Sequence, residues 1–79
     1  MAGFKGIEKF FRFTDEMKYE LDKNDDKLHW LECDENFLKS RLTANSVKAM
    51  TSGNKEERLK SLVDTANFCM MLWDRYKRE

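Results

Sequence analysis

The chain has 79 residues, 41% of them hydrophobic and 38% charged, and its 15 basic and 15 acidic side chains balance to zero net charge. That mixture excludes a disordered chain and suits one domain, 1–79, close to the lower size at which a single core is stable alone. No proline and only three glycines argue against a turn-rich β protein, and no apolar run approaches the ~20 residues of a membrane span.

In chain order, Ile7, Phe10, Phe11, Met17 and Leu21 recur at three- and four-residue spacing, which predicts a helix from about Lys5 to Lys23. Asn24 is the predicted stop, because Asp25 and Asp26 favour turns over helix interior. Residues 24–35 read as a polar connector carrying an apolar island of Leu28, Trp30 and Leu31. Asp34 is the predicted N-cap of a second helix with Phe37, Leu38, Leu42 and Val47 on its apolar side, ending by Gly53 in the turn Thr51-Ser52-Gly53-Asn54. Asn54 then caps a third helix, with Glu57 in capping-box position. Leu59, Leu62, Val63, Ala66, Cys69, Met70, Trp73 and Tyr76 form its stripe, the strongest periodic signal in the chain and the expected core face. Arg75, Lys77 and Arg78 complement the negative end of that helix. The fold class expected is all-α, a small antiparallel bundle of three main helices. A core this small is expected to be completed by a homodimer or higher homo-oligomer.

Charge is unevenly spread. Residues 1–36 hold six basic and ten acidic side chains, a net of −4, and residues 37–79 hold nine and five, a net of +4. Such asymmetry suits a dimer that pairs opposite halves, or an anion site on the basic segment. Lys39, Arg41 and Lys48, three charges over ten residues with few aromatics, make a thin nucleic-acid surface, and no nucleic-acid partner is expected. Cys33 and Cys69 fit neither a disulfide framework nor a zinc spacing, and read as thiols in a reducing compartment. The charges Lys5, Glu8, Lys9 and Arg12 break any signal-peptide pattern, so a cytoplasmic location without a membrane partner is expected. His29 has no nucleophile paired with it by a recognisable motif, and no catalytic residue is assigned.

Three strings resemble one family. They are Phe10-Phe11-Arg12-Phe13-Thr14-Asp15-Glu16-Met17 with Asn24-Asp25-Asp26-Lys27 running on to Trp30; Phe37-Leu38-Lys39-Ser40-Arg41-Leu42; and Leu62-Val63-Asp64-Thr65-Ala66-Asn67-Phe68-Cys69-Met70-Met71-Leu72-Trp73-Asp74-Arg75. They resemble the small MazG-like all-α nucleoside triphosphate pyrophosphohydrolases. The resemblance implies a helical bundle whose site is completed by oligomerisation. It also implies cleavage of nucleoside triphosphates with magnesium held by Glu-x-x-Glu on one helix and Glu-x-x-Asp on the next. Residues three apart share a helical face, so two such helices can offer four carboxylates to one hard cation cluster.

Aligned on the flanking strings, those four positions are Asn45, Lys48, Ser61 and Asp64. Only Asp64 keeps the family's residue, as a vestigial metal position. Lys48 adds a cation that repels a divalent ion by a few kcal/mol at ~4 Å and moderate dielectric. No cofactor, and no magnesium, is therefore expected. The resemblance then implies a degenerate pocket between the second and third helices that captures a nucleotide or nucleotide-derived molecule without cleaving it. Lys48, with Lys39, Arg41 or Lys60, would meet phosphate, Trp30 would stack on a base, Asn45 and Asn67 would read polar edges, and Asp64 would lie beside them. The alternative is a helical protein–protein interaction module with no ligand. A second alternative is a magnesium-dependent hydrolase that recruits Glu56 or Glu57.

Overall fold

The structure, a computed structural model, describes residues 5–23 and 32–79. Among them are three helices and no strand: α1 (Ile7–Lys23), α2 (Glu35–Thr51) and α3 (Lys55–Arg78). The Asn24 stop, the apolar island of Leu28, Trp30 and Leu31, and His29 lie outside the described residues.

Local chemistry sets the helix ends. Gly6, at φ +91°, occupies a backbone region that costs other residues a side-chain clash, and its carbonyl accepts from the Lys9 and Phe10 amides at 2.8 and 3.1 Å. Helix α1 therefore begins two residues after the expected start. Asp34 caps α2 as expected, its carboxylate accepting from the Asn36 amide at 2.9 Å. Asn54 caps α3 by accepting from the Glu57 amide at 3.1 Å, and its own amide donates to Ser52 Oγ at 3.1 Å. The C-cap of α2 is Ser52, in extended backbone. The helix thus ends before Gly53 as expected, and Gly53 itself has no positive φ.

Helices α2 and α3 form an antiparallel hairpin joined at one end by Ser52–Asn54. They are tied at the other, where Tyr76 donates to Glu35 at 2.9 Å and Arg75 to the Cys33 carbonyl at 2.7 Å. Between them Leu38, Met71 and Leu72 are buried, with Leu42, Phe68, Met70 and Leu21 of α1 packed around them. Helix α1 lies on α3 and makes no backbone approach to α2, so α3 is the hub. The α1–α3 contact is held by Met17 and Leu21, both half-buried, and by the buried Asn67, which donates to the Met17 carbonyl at 3.1 Å.

Two expectations about the core change. No residue of α1 is buried, and Ile7, Phe10 and Phe11 are all more than 40% exposed. The α3 stripe also divides. Its buried face is Ser61, Val63, Asn67, Met71 and Leu72, whereas Leu59, Leu62, Cys69, Trp73 and Tyr76 face outward. Periodicity finds an apolar face but cannot say which neighbour covers it. The chain exposes 6334 Å², against about 5,000 Å² for a compact monomer of this mass. Its radius of gyration is 13.8 Å, against about 12 Å for a compact domain of this length.

Candidate functional site

A cleft of about 770 Å³ opens between α1 and the first half of α3. Its α1 wall is Lys9, Phe13, Glu16 and Glu20, which recur at four- and three-residue steps and so share one helical face, with Arg12 beside them. Its α3 wall is Glu56, Glu57, Leu59, Lys60, Leu62 and Val63. The floor is apolar and the rim carries both signs, three cations against four carboxylates. Among the described residues, Lys9, Arg12, Glu16, Glu56 and Glu57 have no ion-pair partner.

Lys60 is the exception, bridging both walls. It donates to Asp64 at 2.8 Å, one turn along α3, and reaches Glu20 of α1 at 3.6 Å. The hydrogen bond to Asp64 holds the Lys60 ammonium above the ordinary lysine range, and partial burial offsets some of that rise. A second charged cluster lies at the far end of the hairpin. Lys39 at 2.7 Å and the Tyr76 hydroxyl at 2.9 Å both donate to Glu35, which lowers the Glu35 carboxyl.

Among the described nucleotide-site residues assigned from sequence, Lys60 lines this cleft, and Glu56 and Glu57, the carboxylates of the hydrolase alternative, line it too. Asp64 is half-buried and occupied by Lys60. Asn45 is buried on α2 and its amide donates to the Arg41 carbonyl one turn back at 2.8 Å. Ser61 is buried on the α3 face that it shares with Phe68 and Leu72, both packed in the hairpin core. Asn67 is buried with its Nδ2 spent on Met17 and its Oδ1 unpaired. Lys48 and Arg41 are exposed on α2, where Lys48 sits in the last turn and complements the helix dipole. Trp30 lies outside the described residues. The expected pocket between the second and third helices thus has packed polar residues at Asn45 and Ser61, and the open space is on the other side of α3.

Lys9, Arg12, Phe13, Glu16 and Glu20 were not singled out as site residues. Their shared helical face was readable, but nothing in it says that α1 docks on α3 through only part of its length. Glu56 and Glu57 do reach the cleft, on the wall facing Glu16 and Glu20. Among the described residues, no three acidic, histidine or cysteine side chains gather closely enough to hold a metal. None of the described helices is long and apolar enough to cross a membrane. Against known proteins, no family model, no curated protein and no solved structure matches this chain.

Proposed function

We propose that the chain is a helical association module, acting by burying an exposed apolar face against another protein chain in a reducing cytoplasm. The observation that carries this reading is that, among the described residues, twelve large apolar side chains are exposed, Trp73 at 62% and Phe11 at 57% among them, beside four buried hydrophobic residues. A monomer rarely leaves a contiguous apolar patch of more than a few hundred Å² open to water, and larger ones mark interaction sites. Sedimentation of the purified chain, alone and with candidate partner proteins, tests it. A stable monomer that binds no protein refutes the reading.

A second reading is favoured by the cleft. Its volume of about 770 Å³ lies within the ~300–1,000 Å³ of small-molecule sites, and Lys9, Arg12 and Lys60 give it cations for phosphate. Nucleotide capture, as the MazG-like resemblance implies, would then use Lys60 in the α1–α3 cleft, with Lys48 and Arg41 on a separate surface. Calorimetry with mono-, di-, tri- and cyclic nucleotides, with and without magnesium, tests it. Micromolar binding lost in Lys60→Glu supports the cleft, and binding lost in Lys48→Glu supports the α2 position. Magnesium-dependent pyrophosphate release would instead identify a hydrolase that recruits Glu56 or Glu57. Silence across the panel removes the nucleotide reading.

A further inference from the structure

The outward face of α3 joins an apolar strip to charges of one sign. Leu59, Leu62, Ala66, Cys69, Trp73 and Tyr76 follow one another at steps of 3, 4, 3, 4 and 3 residues, and all but the half-buried Ala66 are exposed. That alternation is the 3.5-residue repeat by which one helix seats on another. Three exposed cations stand in the same rows: Lys55 four residues before Leu59, Arg58 four before Leu62, and Lys77 four after Trp73. At about 100° per residue, these cations lie within roughly 50° of the strip's centre line, whereas the α3 carboxylates Glu56, Glu57, Asp64 and Asp74 lie more than roughly 100° from it.

The nearby carboxylates are accounted for elsewhere. Asp64 is held by Lys60 at 2.8 Å, Asp74 by Arg78 at 2.9 Å, and Glu79 lies 3.7 Å from Arg75. Glu56 and Glu57 line the cleft with Glu16 and Glu20 of α1. From α2, Glu35 meets the strip at Tyr76, whose hydroxyl donates to it at 2.9 Å, and Lys39 neutralises it at 2.7 Å. By contrast, Lys55, Arg58 and Lys77 have no ion-pair partner among the described residues. Lys77 lies over the Trp73 ring instead, 5.7 Å from its centroid.

We infer that this strip seats an amphipathic helix of another protein, apolar along its contact edge and acidic on its flanks. The inference rests on the association reading and names the chemistry of the partner. The partner's apolar residues pack along Leu59, Leu62, Cys69 and Trp73. Its carboxylates meet Lys55 and Arg58 at one end and Lys77 at the other, which fixes where along the strip it sits. Charge weighs against a second copy of the same strip. Antiparallel pairing would set Arg58 against Lys77, and parallel pairing would set each cation against itself. Width weighs against a lipid surface, because a seam at 3.5-residue spacing is narrower than the face of a helix that lies on a membrane.

Fluorescence anisotropy with two labelled synthetic peptides of about four heptads tests this, each with leucine along its seam and either glutamate or lysine at the flanking positions. The glutamate peptide should bind the full chain with an affinity that falls as salt rises. The lysine peptide should bind roughly tenfold more weakly or worse. Lys55→Glu with Arg58→Glu and Lys77→Glu should reverse that preference, a gain that a misfolded variant could not show. Leu62→Glu with Trp73→Glu should bind neither peptide while helical circular dichroism is retained. Lys18→Glu, the same charge reversal at an exposed site on α1, should leave the preference unchanged. Equal binding of both peptides, a preference that survives the triple reversal, or no binding of either would overturn the proposal. A dimer of the chain alone that Leu62→Glu with Trp73→Glu abolishes would give the strip to a second copy, overturning the proposal and sparing the association reading. Co-sedimentation with anionic phospholipid vesicles, lost in that variant and without peptide binding, would give the strip to a lipid surface and overturn the proposal. A monomer that binds neither the peptides nor any protein would sink both.

Discussion

The weakest joint of the molecule is the one between α1 and α3, and Asn67→Ala tests that directly. Helix α1 buries no residue of its own, and its attachment rests on Met17, Leu21, the Asn67 hydrogen bond to the Met17 carbonyl and the Lys60–Glu20 pair at 3.6 Å. Removing the Asn67 amide deletes a hydrogen bond with a net contribution of about 0.5–1.5 kcal/mol and leaves a small void. Part of the cost is returned, because the unpaired buried Oδ1 disappears with it. A net loss of about 1–2 kcal/mol follows, which multiplies the open population by roughly 5–30 at 25 °C. The Met17 carbonyl has a second lone pair for its own helix, so the substitution does not break α1 from within.

The assay is hydrogen exchange resolved by segment. A 17-residue helix is marginal alone in water, so once undocked α1 frays and its amides exchange. Protection in α1 should fall by that factor while amides of α2 and of the second half of α3 hold theirs. A uniform fall across all three helices would refute the reasoning, because it would mean that α1 opens only when the whole chain unfolds.

Three further outcomes follow from the same contacts. Leu38, at 1% exposure the most enclosed side chain, should cost about 2–5 kcal/mol on Leu38→Ala, a large share of the ~4–12 kcal/mol expected for a domain this size, read as a fall in the urea midpoint. Because Lys39 and Tyr76 lower the Glu35 carboxyl below its reference of 4.5, their stabilisation is present above that value and is lost as pH falls through the lower folded value; the acid limb of a stability profile should flatten in Glu35→Gln. Gly6→Ala, at φ +91°, should cost about 1 kcal/mol and speed exchange of the Lys9 and Phe10 amides without changing the urea midpoint of the hairpin.

Caps and helix boundaries were legible in the sequence because they are local. Asp34 and Asn54 each place an acceptor next to an orphan amide, and no distant residue competes for it. The all-helical class followed for the same reason. The pairing of the helices was not legible. Nothing local distinguishes Leu62, which faces outward, from Val63, which is buried, or shows that Asn67 spends its amide on a carbonyl 50 residues away. The candidate site suffered most. Alignment on the MazG-like strings put Asn45 in an open pocket and Ser61 at a lost metal position, yet small polar residues at helical spacing suit a packed helix face equally well, and both are buried. Lys60 was legible as a cation near Asp64, but its reach to Glu20 required knowing that α1 lies alongside.

The polarity of α3 leads to the same conclusion from the other direction. A surface helix presents apolar residues inward and polar ones to water. Here two of the five buried residues of α3 are polar, Ser61 and Asn67, while its outward strip holds Leu59, Leu62, Trp73 and Tyr76. Apolar residues on both its buried and its outward faces give α3 more apolar surface than a helix covered on one side needs. Two of its neighbours, α1 and α2, belong to the chain itself. Another protein chain, in the association reading proposed above, supplies the third, which gives Trp73 a reason to stand at 62% exposure and lets a 79-residue chain share a core that it is too short to complete alone.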